Sequence, residues 1–487
     1  MECPWSSQAC GISGIRSEAL AAAAIFVLLA SCASAATLHS GSDIQATIDK
    51  ANPGDTILVG PGDYGPFDIN KPLTVVGTGM PLVRAAIQRP GITLSSEGAV
   101  VSGFKIKGVC TDSSAKFNYY ISKPAEASVR FDLPDAAVMA EADDVVLKDS
   151  SIFGAEAGAY AEEIRNTSLT NITFISCVDG AKLMQCQGCN VEGCRFLKCD
   201  KTGLRVEGSR GIVVSNITAA DAVHIGVLIK ESTGCKVNSN TATGNIEGIA
   251  LWNSSNSEVS GNVVSRNYYG ILLSGSNNNT VTDNTAVENT RSEVIKGFGI
   301  GISLEGNSSN NVVAWNDARR NYNGLEVTKG CQLNVLYCNK INDNDHGIRM
   351  DKNWNNLIYA NSFSRNKIDA YENASHNCWN TTVGNYYSNY KGDDLNGDGI
   401  GDSPYPVTAI DADSKDYLPL MQPYVPVEVD VSVEELRSMA RTYARYHDED
   451  AENALPYKVS GGIVVIESRR PTRPPKWPST PSNRISF

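Results

Sequence analysis

The feature that most constrains this chain is a repeat of nearly constant length. A glycine followed by an apolar residue recurs every 22 or 23 residues, with one longer gap of 31, at Gly158, Gly180, Gly203, Gly226, Gly248, Gly270, Gly301, Gly324 and Gly347. A fixed period of this length is typical of stacked units, because a single unit cannot bury its own apolar face. The repeat therefore predicts an elongated array.

Each repeat contains short strands joined by turns. The segments 248–251 (GIAL) and 270–273 (GILL) are short apolar runs, and the polar turns that follow them leave no room for a helix period. Leucine-rich repeats have a similar length, but their fixed leucine framework is absent. The sequence therefore predicts an all-β fold, a right-handed parallel β-helix (solenoid) of about 11–13 rungs spaced ~4.8 Å apart.

Two columns of asparagine support this fold. An asparagine tolerates left-handed turn geometry and can bond to the equivalent residue one rung away. The first predicted column is Asn171, Asn216, Asn240, Asn262, Asn284, Asn316, Asn339 and Asn361. The second predicted column is Asn245, Asn267, Asn289, Asn321, Asn344 and Asn366. Such ladders are structural, and they account for most of the asparagine without invoking an active site.

Both ends of a repeat array need caps. The segment 42–45 (SDIQ) has the form of a capping box, which predicts a helix over residues 42–51 that covers the N-terminal rung. The pattern is interrupted at about 109–135, which we interpret as an inserted loop. A second insertion of about eight residues falls near 290–298 and accounts for the one longer gap.

The repeat stops before the chain does. Residues 423–487 form a C-terminal extension that begins with a second capping box at 432–435 (SVEE) and an amphipathic helical pattern. A strand is predicted at 463–466. A basic, proline-rich tail runs from about residue 469, and its composition does not favour a packed core.

The N-terminus carries a targeting signal. Ala19–Ala30 is an apolar run that is too short to span a bilayer and suits the core of a signal peptide over residues 1–35, with a small-residue cleavage site at 33–35. Cys32 also fits a lipoprotein box, so a lipid anchor there is the alternative. The chain is therefore expected to be exported, to the periplasm, the cell surface or the exterior. The net charge of −12 argues against a nucleic-acid partner.

Motifs at both ends of the array resemble one known family. They comprise 44–48 (IQATI), 52–57 (NPGDTI), 61–64 (PGDY), 384–390 (GNYYSNY), 397–402 (GDGIGD) and 416–420 (DYLPL). These segments resemble the NosD-like β-helix family over residues 38–422. The resemblance implies an exported β-helix of a group also described as carbohydrate-binding and sugar-hydrolysis proteins, and linked with maturation of a copper enzyme.

The strongest local motif is an acidic loop. Asp394, Asn396, Asp398 and Asp402, together with the backbone carbonyl of Ile400, match the first part of a calcium-binding loop. The twelfth position is Tyr405 rather than glutamate. The sequence therefore predicts a structural Ca²⁺ ion, and an acidic turn without an ion is the alternative.

A cluster of cysteines suggests either a soft-metal or redox site or a buried stack. It comprises Cys177, Cys186, Cys189, Cys194 and Cys199. Because Cys194 and Cys199 fall where Asn262 and Asn267 stand three rungs later, we interpret the cluster as replaced ladder residues. Copper is disfavoured, because the five histidines and seven methionines form no His-x-x-His or methionine-rich run.

The sequence contains no convincing catalytic constellation. Glycosidases need two nearby carboxylates, yet Asp179 and Glu247 stand three rungs apart, and Glu305 and Asp351 stand two rungs apart. The densest charged patch is 349–352 (RMDK). We therefore favour an exported β-helix that binds polysaccharide or envelope glycans or has a structural role. The alternatives are a polysaccharide-active enzyme (hydrolase, lyase or epimerase) and a NosD-like accessory protein for copper-enzyme maturation.

Overall fold

The computed structural model describes residues 35–110, 134–289, 298–409, 414–424, 432–448, 457–460 and 463–466. They form a right-handed parallel β-helix of about 14 turns, which confirms the predicted fold with slightly more turns than expected. The first turns lack the glycine signature, so the repeat alone undercounts them. The predicted signal peptide, Cys32, the tail from 469 and most of both insertions lie outside the described residues.

Every turn contributes one strand to each of three parallel sheets. The first sheet contains Thr37–His39, Thr56–Val59, Thr74–Gly77, Val100–Ser102, Val146–Lys148, Ser168–Thr170, Asn190–Glu192, Val213–Ser215, Lys236–Asn238, Glu258–Ser260, Thr280–Thr282, Val312–Ala314, Val335–Tyr337, Trp354–Tyr359 and His376–Cys378. The second sheet contains Asp63–Tyr64, Leu82–Arg84, Lys105–Lys107, Ser151–Phe153, Thr173–Ile175, Arg195–Leu197, Thr218–Ala220, Thr241–Thr243, Val263–Ser265, Thr285–Val287, Asp317–Arg319, Lys340–Asn342, Ser362–Ser364 and Tyr386–Tyr387.

The third sheet has most of the six-residue strands, and we call it the long-strand sheet. It contains Phe67–Ile69, Ile92–Leu94, Ala136–Ala140, Ala157–Glu162, Asp179–Met184, Thr202–Glu207, Ile225–Lys230, Glu247–Trp252, Tyr269–Ser274, Ile300–Glu305, Asn323–Thr328, His346–Asp351, Ile368–Asn373 and Thr408–Ala409. Two antiparallel pairs lie outside the three sheets, namely Tyr405–Pro406 with Lys415–Asp416 and Tyr457–Ser460 with Ile463–Ile466.

The repeated glycine is the second residue of the nine consecutive six-residue strands of the long-strand sheet from Ala157–Glu162 to His346–Asp351. A β-carbon at Gly248 would lie 2.6 Å from the carbonyl oxygen of Gly270 on the next turn, so only glycine fits this close approach. The third and fifth residues of the strand, such as Ile249 and Leu251, are buried in the core. Because side chains alternate along a strand, the fourth and sixth residues face outward.

The two predicted asparagine ladders are present. In the first, each side-chain amide donates to the side-chain oxygen one turn later, as from Asn284 to Asn316 at 3.0 Å, and the ladder runs from Asn240 to Asn385. The second runs from Asn245 to Asn366. These bonds satisfy buried backbone and side-chain groups at the corners of the turns from Asn240 onward.

Two further ladders escaped sequence analysis. A third asparagine ladder comprises Asn279, Asn311, Asn334, Asn356 and Asn377. A hydroxyl ladder comprises Ser209, Ser232, Ser254, Ser276 and Ser308, in which each hydroxyl accepts from the backbone N–H one turn earlier. Serine and asparagine are common in turns of any kind, so their spacing did not stand out.

The prediction that Asn171 and Asn216 belong to the first ladder is wrong. Both are exposed and have left-handed backbone, each with φ of +54°. The residue after each of them occupies the ladder position, as shown by the backbone N–H of Ile217, which donates to Asn240 Oδ1 at 3.0 Å. The first column therefore begins as aliphatic residues and becomes asparagine only at Asn240.

The cysteines replace ladder residues, as predicted. Cys194 stands in the first ladder, Cys177 and Cys199 in the second, Cys189 in the third asparagine ladder and Cys186 in the hydroxyl ladder. All five are buried free thiols. Burial raises the pKa of Cys177 to about 11 and that of Cys199 to about 12, so both are protonated at neutral pH.

A short helix, α1 (Ile44–Lys50), contacts the strand Phe67–Ile69. Its N-cap is Asp43, whose side chain accepts from the Ala46 N–H, so the predicted capping box that starts at Ser42 is wrong. The Gln45 side chain accepts from the Asp68 N–H and donates to its carbonyl oxygen. It thereby satisfies backbone groups at the open edge of the long-strand sheet.

A second helix, α2 (Val433–Asp448), packs on the outer face of the first sheet. Its predicted capping box is present, since Ser432 Oγ accepts from the Glu435 N–H and the Glu435 carboxylate accepts from the Ser432 N–H. Leu436 is fully buried against the last strands of the sheet. Within the described part of the chain, neither helix is long and apolar enough to cross a membrane.

Candidate functional site

The outer face of the long-strand sheet carries a polar cleft near the C-terminal end of the rod. We call it the Glu326 cleft, and it comprises Glu247, Tyr269, Ser303, Glu305, Asn323, Glu326, His346 and Arg349. The strands pair in register, so that Ser303 lies opposite Glu326 and Glu326 lies opposite Arg349 on successive turns. Residues from Tyr269 to Arg349 are thereby stacked within three turn spacings, which is roughly 14 Å along the rod.

Carboxylates outnumber cations in and around this cleft. Arg349 forms ion pairs with Glu326 at 3.4 Å and with Asp351 at 3.1 Å. Lys329 pairs with Glu305 at 2.7 Å. Among the described residues, the Glu247 carboxylate has no ion-pair partner, so four carboxylates share two cations.

The carboxyl groups of the cleft are perturbed by their surroundings. Burial raises the pKa of Glu247 to about 7, and the negative charge of Glu305 acts in the same direction. Burial also raises the pKa of Glu326, although Arg349 opposes this shift. The Tyr269 phenol has a raised pKa because of burial and because the carboxylates of the cleft lie nearby. Glu247 can therefore hold or release a proton near neutral pH.

His346 is held in its neutral form. Burial lowers its pKa, and the positive charge of Arg349 adds to this effect. Its ring also contacts the aromatic side chains of Tyr322 and Tyr371. A neutral imidazole offers one donor and one acceptor, so His346 can either donate a hydrogen bond to a ligand hydroxyl or accept one from it.

Several buried polar atoms of the cleft have no hydrogen-bond partner within the described residues. They are Glu247 Oε2, Ser303 Oγ, Asn323 Oδ1 and His346 Nδ1. Ser303 is 0% exposed and Asn323 is 4% exposed. The amide nitrogen of Asn323 donates to Glu326, which leaves its oxygen facing the cleft without a donor. Buried polar groups in native proteins are normally satisfied, so these atoms indicate a site for a polar ligand or water.

A row of rings borders the cleft on one side. Phe298 stacks on Tyr322 with ring centroids 4.0 Å apart, Tyr322 meets His346 at 5.3 Å, and His346 meets Tyr371 at 6.0 Å. We call these four rings the aromatic row. Phe298 is 63% exposed, so this end of the row is accessible from solvent.

The predicted calcium loop is ordered by its own carboxylates. Asp394 accepts from the N–H groups of Gly397 and Gly399 at 2.8 and 3.0 Å, and Asp402 accepts from the Leu395 N–H at 2.7 Å. Asn396 donates to Asp398 at 3.0 Å, and the Ile400 N–H donates to Asp398 at 2.9 Å. These carboxylates bond within the loop and, like the other described residues, form no group that is arranged to hold a metal ion, so calcium binding there stays a prediction.

Other residues considered from the sequence are not brought together. Asp179 pairs with Lys182 at 3.3 Å, three turns away from Glu247. Lys352 is exposed in the turn after its strand and adds nothing to the Arg349–Asp351 pair. The residues that sequence analysis missed are Ser303, Asn323 and Glu326. Counting one repeat length from Arg349 back to Glu326 would have found the central ion pair.

Comparison with known proteins gives one family match. The model of the family described as "Periplasmic copper-binding protein (NosD)" matches residues 125–297 and 221–392. No curated protein sequence matches the chain.

Solved structures with the same fold are distant. The crystal structure of the Dettilon tailspike protein is 15% identical with a TM-score of 0.48, over 62% of this chain and 63% of the tailspike. This chain therefore matches less than two thirds of the tailspike. The A-module of an Azotobacter vinelandii mannuronan C-5 epimerase is 13% identical with a TM-score of 0.43, over 69% and 94% of the two chains. A point mutant of the periplasmic alginate epimerase AlgG is 15% identical with a TM-score of 0.42, over 66% and 83%.

The described residues do not fit the copper ion that the family description implies. Within the described ranges, no group of three or more histidine, cysteine, aspartate or glutamate side chains is arranged to hold a metal ion. The pair Cys186 and Cys189 is buried in the rod, and the shared hydrogen bond and burial raise the pKa of the Cys186 thiol. His224 and His346 lie five turns apart, too far to share an ion.

Proposed function

This chain belongs to the NosD family, and from that premise we propose that it is a glycan-binding β-helix whose site is the Glu326 cleft with the aromatic row. The observation that carries the proposal is the pairing of two features. A row of one exposed and three half-buried rings follows successive turns of the rod, and unpartnered polar atoms lie beside it. A ligand that satisfies both must be extended, with apolar faces and many hydroxyl groups.

A sugar chain has these properties. The C–H face of a pyranose ring can cover an aromatic ring and remove apolar area from water, while its hydroxyls bond to side chains at the edge. His346 contacts both halves of the site, since its ring packs edge-on against Tyr322 and it has an unpartnered nitrogen. The four rings follow successive turns, so the site suits several linked sugars better than a single one.

The proposed location is outside the cytoplasm. The apolar run Ala19–Ala30 precedes the β-helix, and the matched family is described as periplasmic. Cleavage after Ala35 would release the protein, whereas processing at Cys32 would leave it tethered by lipid. The mass of the mature N-terminus distinguishes these two products, and a chain that keeps Met1 would contradict export by this signal.

A glycan array probed with the purified full chain tests the proposal. We expect the double variant Phe298→Ala/Tyr322→Ala to lose at least about tenfold in affinity for the best ligand, because the stacking surface is removed. Trp354→Ala is the matched control, since Trp354 is an aromatic residue with 44% exposure on a different sheet. Equal loss in both variants, or no glycan bound by the unmodified chain, would contradict the proposal.

A second candidate function is glycoside hydrolysis at the same cleft. It is favoured by Glu247, whose pKa of about 7 suits a general acid. Release of new reducing ends from the bound glycan would establish hydrolysis. Glu247→Gln should then abolish turnover while binding persists, and unchanged turnover in that variant would exclude Glu247 as the acid.

A further inference from the structure

Resting on the proposed function, we propose that the preferred ligand of the Glu326 cleft is a glycan with free amino groups, such as a glucosamine polymer, whose ammonium group binds among Ser303, Asn323 and Glu326. The support comes from the charge of the cleft, the sense of its unpartnered atoms and the position of the aromatic row. None of these follows from family membership.

The charge of the cleft favours a cation. Four carboxylates share two cations, and both cations are already engaged, Arg349 with two carboxylates and Lys329 with Glu305. The Lys329 side chain is 67% exposed and lies at the rim. A uronate polymer would bring further carboxylates next to this surplus and would be repelled, whereas an ammonium group would be attracted.

The unpartnered atoms of the cleft can accept hydrogen bonds, which suits a ligand group that donates them. Asn323 Oδ1 is an acceptor only, Ser303 Oγ can accept as well as donate, and both residues lie beside Glu326. An ammonium group has three donors and no acceptor, so it can satisfy several of these oxygens at once. An acetylated amine keeps one donor and adds an acceptor, so it fits less well.

The burial of the unpartnered atoms of Ser303 and Asn323 strengthens the preference for an ammonium group over other ligand groups. Ser303 and Asn323 are more than nine-tenths buried, Ser303 lies opposite Glu326 on the adjacent turn, and Asn323 donates to Glu326. A ligand that cannot donate hydrogen bonds to Ser303 and Asn323 leaves their oxygens unpaired and loses binding free energy. Water is a poor replacement for such a ligand at a buried site. The aromatic row lies on the side of His346, so a sugar stacked on the rings can direct its amino substituent toward the carboxylates.

Isothermal titration calorimetry of the full chain tests the inference with three hexasaccharides. The probes are a fully deacetylated glucosamine oligomer, its N-acetylated counterpart and an oligo-uronate of the same length. We expect the deacetylated oligomer to bind at least about tenfold more tightly than the N-acetylated one, because charge-assisted bonds replace neutral ones. We expect the oligo-uronate to bind most weakly.

Variants assign the preference to the cleft. Glu326→Gln should reduce binding of the deacetylated oligomer about tenfold while changing the N-acetylated oligomer by less. Glu258→Gln, at an exposed glutamate on the first sheet, should change neither. Equal binding of all three oligomers, or tightest binding of the oligo-uronate, would overturn the inference and leave the proposed function in place. No binding of any glycan by the unmodified chain would overturn the proposed function itself.

Discussion

Glu326 and Arg349 stand opposite each other on successive strands of the long-strand sheet, and their side chains form an ion pair at 3.4 Å across the turn. Arg349 also reaches Asp351 at 3.1 Å, so one guanidinium compensates two carboxylates. The Glu326 carboxyl group is mostly buried, at 12% side-chain exposure. The positive charge of Arg349 stabilises the ionised form of this carboxyl group. The pair therefore links the electrostatics of the cleft to the stability of the rod.

Replacing Arg349 by methionine tests that link. The variant leaves Glu326 without its cation, which raises the pKa of that carboxyl group further in the folded state. A carboxyl group whose pKa is raised by folding destabilises the protein as pH rises above its unfolded value near 4.5. We expect a loss of about 1–2 kcal/mol in the free energy of unfolding at pH 8 and a smaller loss at pH 5.

Urea unfolding at the two pH values measures this difference. Arg365→Met is the control, because the Arg365–Asp343 pair is exposed and should contribute less than about 0.5 kcal/mol. An equal loss at both pH values would show that the Arg349 effect is packing of its aliphatic stem rather than charge.

Glu247→Gln should stabilise the protein at alkaline pH. The folded protein holds the Glu247 proton up to about pH 7, whereas the unfolded chain releases it near 4.5. The contribution of Glu247 to the free energy of unfolding is therefore fully present below about pH 4.5 and is lost as pH rises through 7. The glutamine side chain does not ionise, so the variant does not undergo this loss. After discounting for partial exposure, we expect a gain of about 1–2 kcal/mol at pH 8 and none at pH 4. Thermal unfolding at both pH values measures it, and a gain of equal size at pH 4 would contradict the assignment.

The asparagine ladders should dominate local stability at the turns. Asn316 donates to Asn339 and to two backbone carbonyls, and it accepts from both nitrogens of Asn284. Asn316→Ala leaves several of these buried groups unpaired, and we expect a loss of about 2–4 kcal/mol. Asn216→Gly is the matched control, because Asn216 is exposed, off the ladder and in left-handed backbone that glycine accepts. Chemical denaturation should show little change in the free energy of unfolding for Asn216→Gly. A large loss in this variant would indicate that Asn216 does belong to the ladder.

The fold was readable from the sequence because its cause is periodic. Glycine at the close approach between turns, inward-facing aliphatic residues and ladder asparagines all recur at one interval, so every repeat carries the same information. The errors fell where the period is locally ambiguous. Asn171 and Asn216 lie one residue before the ladder position, and an asparagine suits the left-handed turn there as well as it suits the ladder.

The cleft was less readable because its chemistry is not periodic. Glu247 is the first residue of its strand, Glu326 the fourth and Glu305 the last, so no column of acidic residues appears in the sequence. Their proximity depends on the direction of each side chain and on the register of five successive turns. The sequence therefore indicated two of the three glutamates and missed the arrangement that perturbs their pKa values.

Calcium should stabilise the far end of the rod if the acidic loop binds it. An ion that binds only the folded chain raises the free energy of unfolding by about 2.7 kcal/mol at a concentration about one hundred times its dissociation constant. We expect Ca²⁺ to raise the melting temperature more than Mg²⁺ does, since the loop offers flexible oxygen ligands. Asp398→Asn should reduce the shift, with Asp283→Asn, an acidic residue on another turn, as the control. Identical shifts with both ions, or no shift with either, would exclude a calcium site.

Helix α2 should be separable from the rod. Its docking depends on a small apolar contact in which Leu436 is fully buried against the outer face of the first sheet, and on Arg437, which donates to the backbone carbonyls of Asn278 and Asn310. Leu436→Ala removes much of that contact, and we expect a loss of about 2–4 kcal/mol in docking. Hydrogen exchange should then accelerate for the amides of Val433–Asp448 and stay unchanged in the ladder turns.

Arg441→Ala controls for the loss of a surface side chain alone, because the Arg441 side chain is 40% exposed and its ion-pair partner within the described residues is Glu434 of the same helix.

The Leu436→Ala and Arg441→Ala variants together distinguish two models of how the rod folds. If Leu436→Ala accelerates exchange in the helix alone, the β-helix folds without its C-terminal extension and the helix serves as a cover for apolar residues such as Val335 and Leu357. If exchange also accelerates in the turns beneath, the helix belongs to the cooperative unit, and the apolar outer face of the last strands requires it for stability.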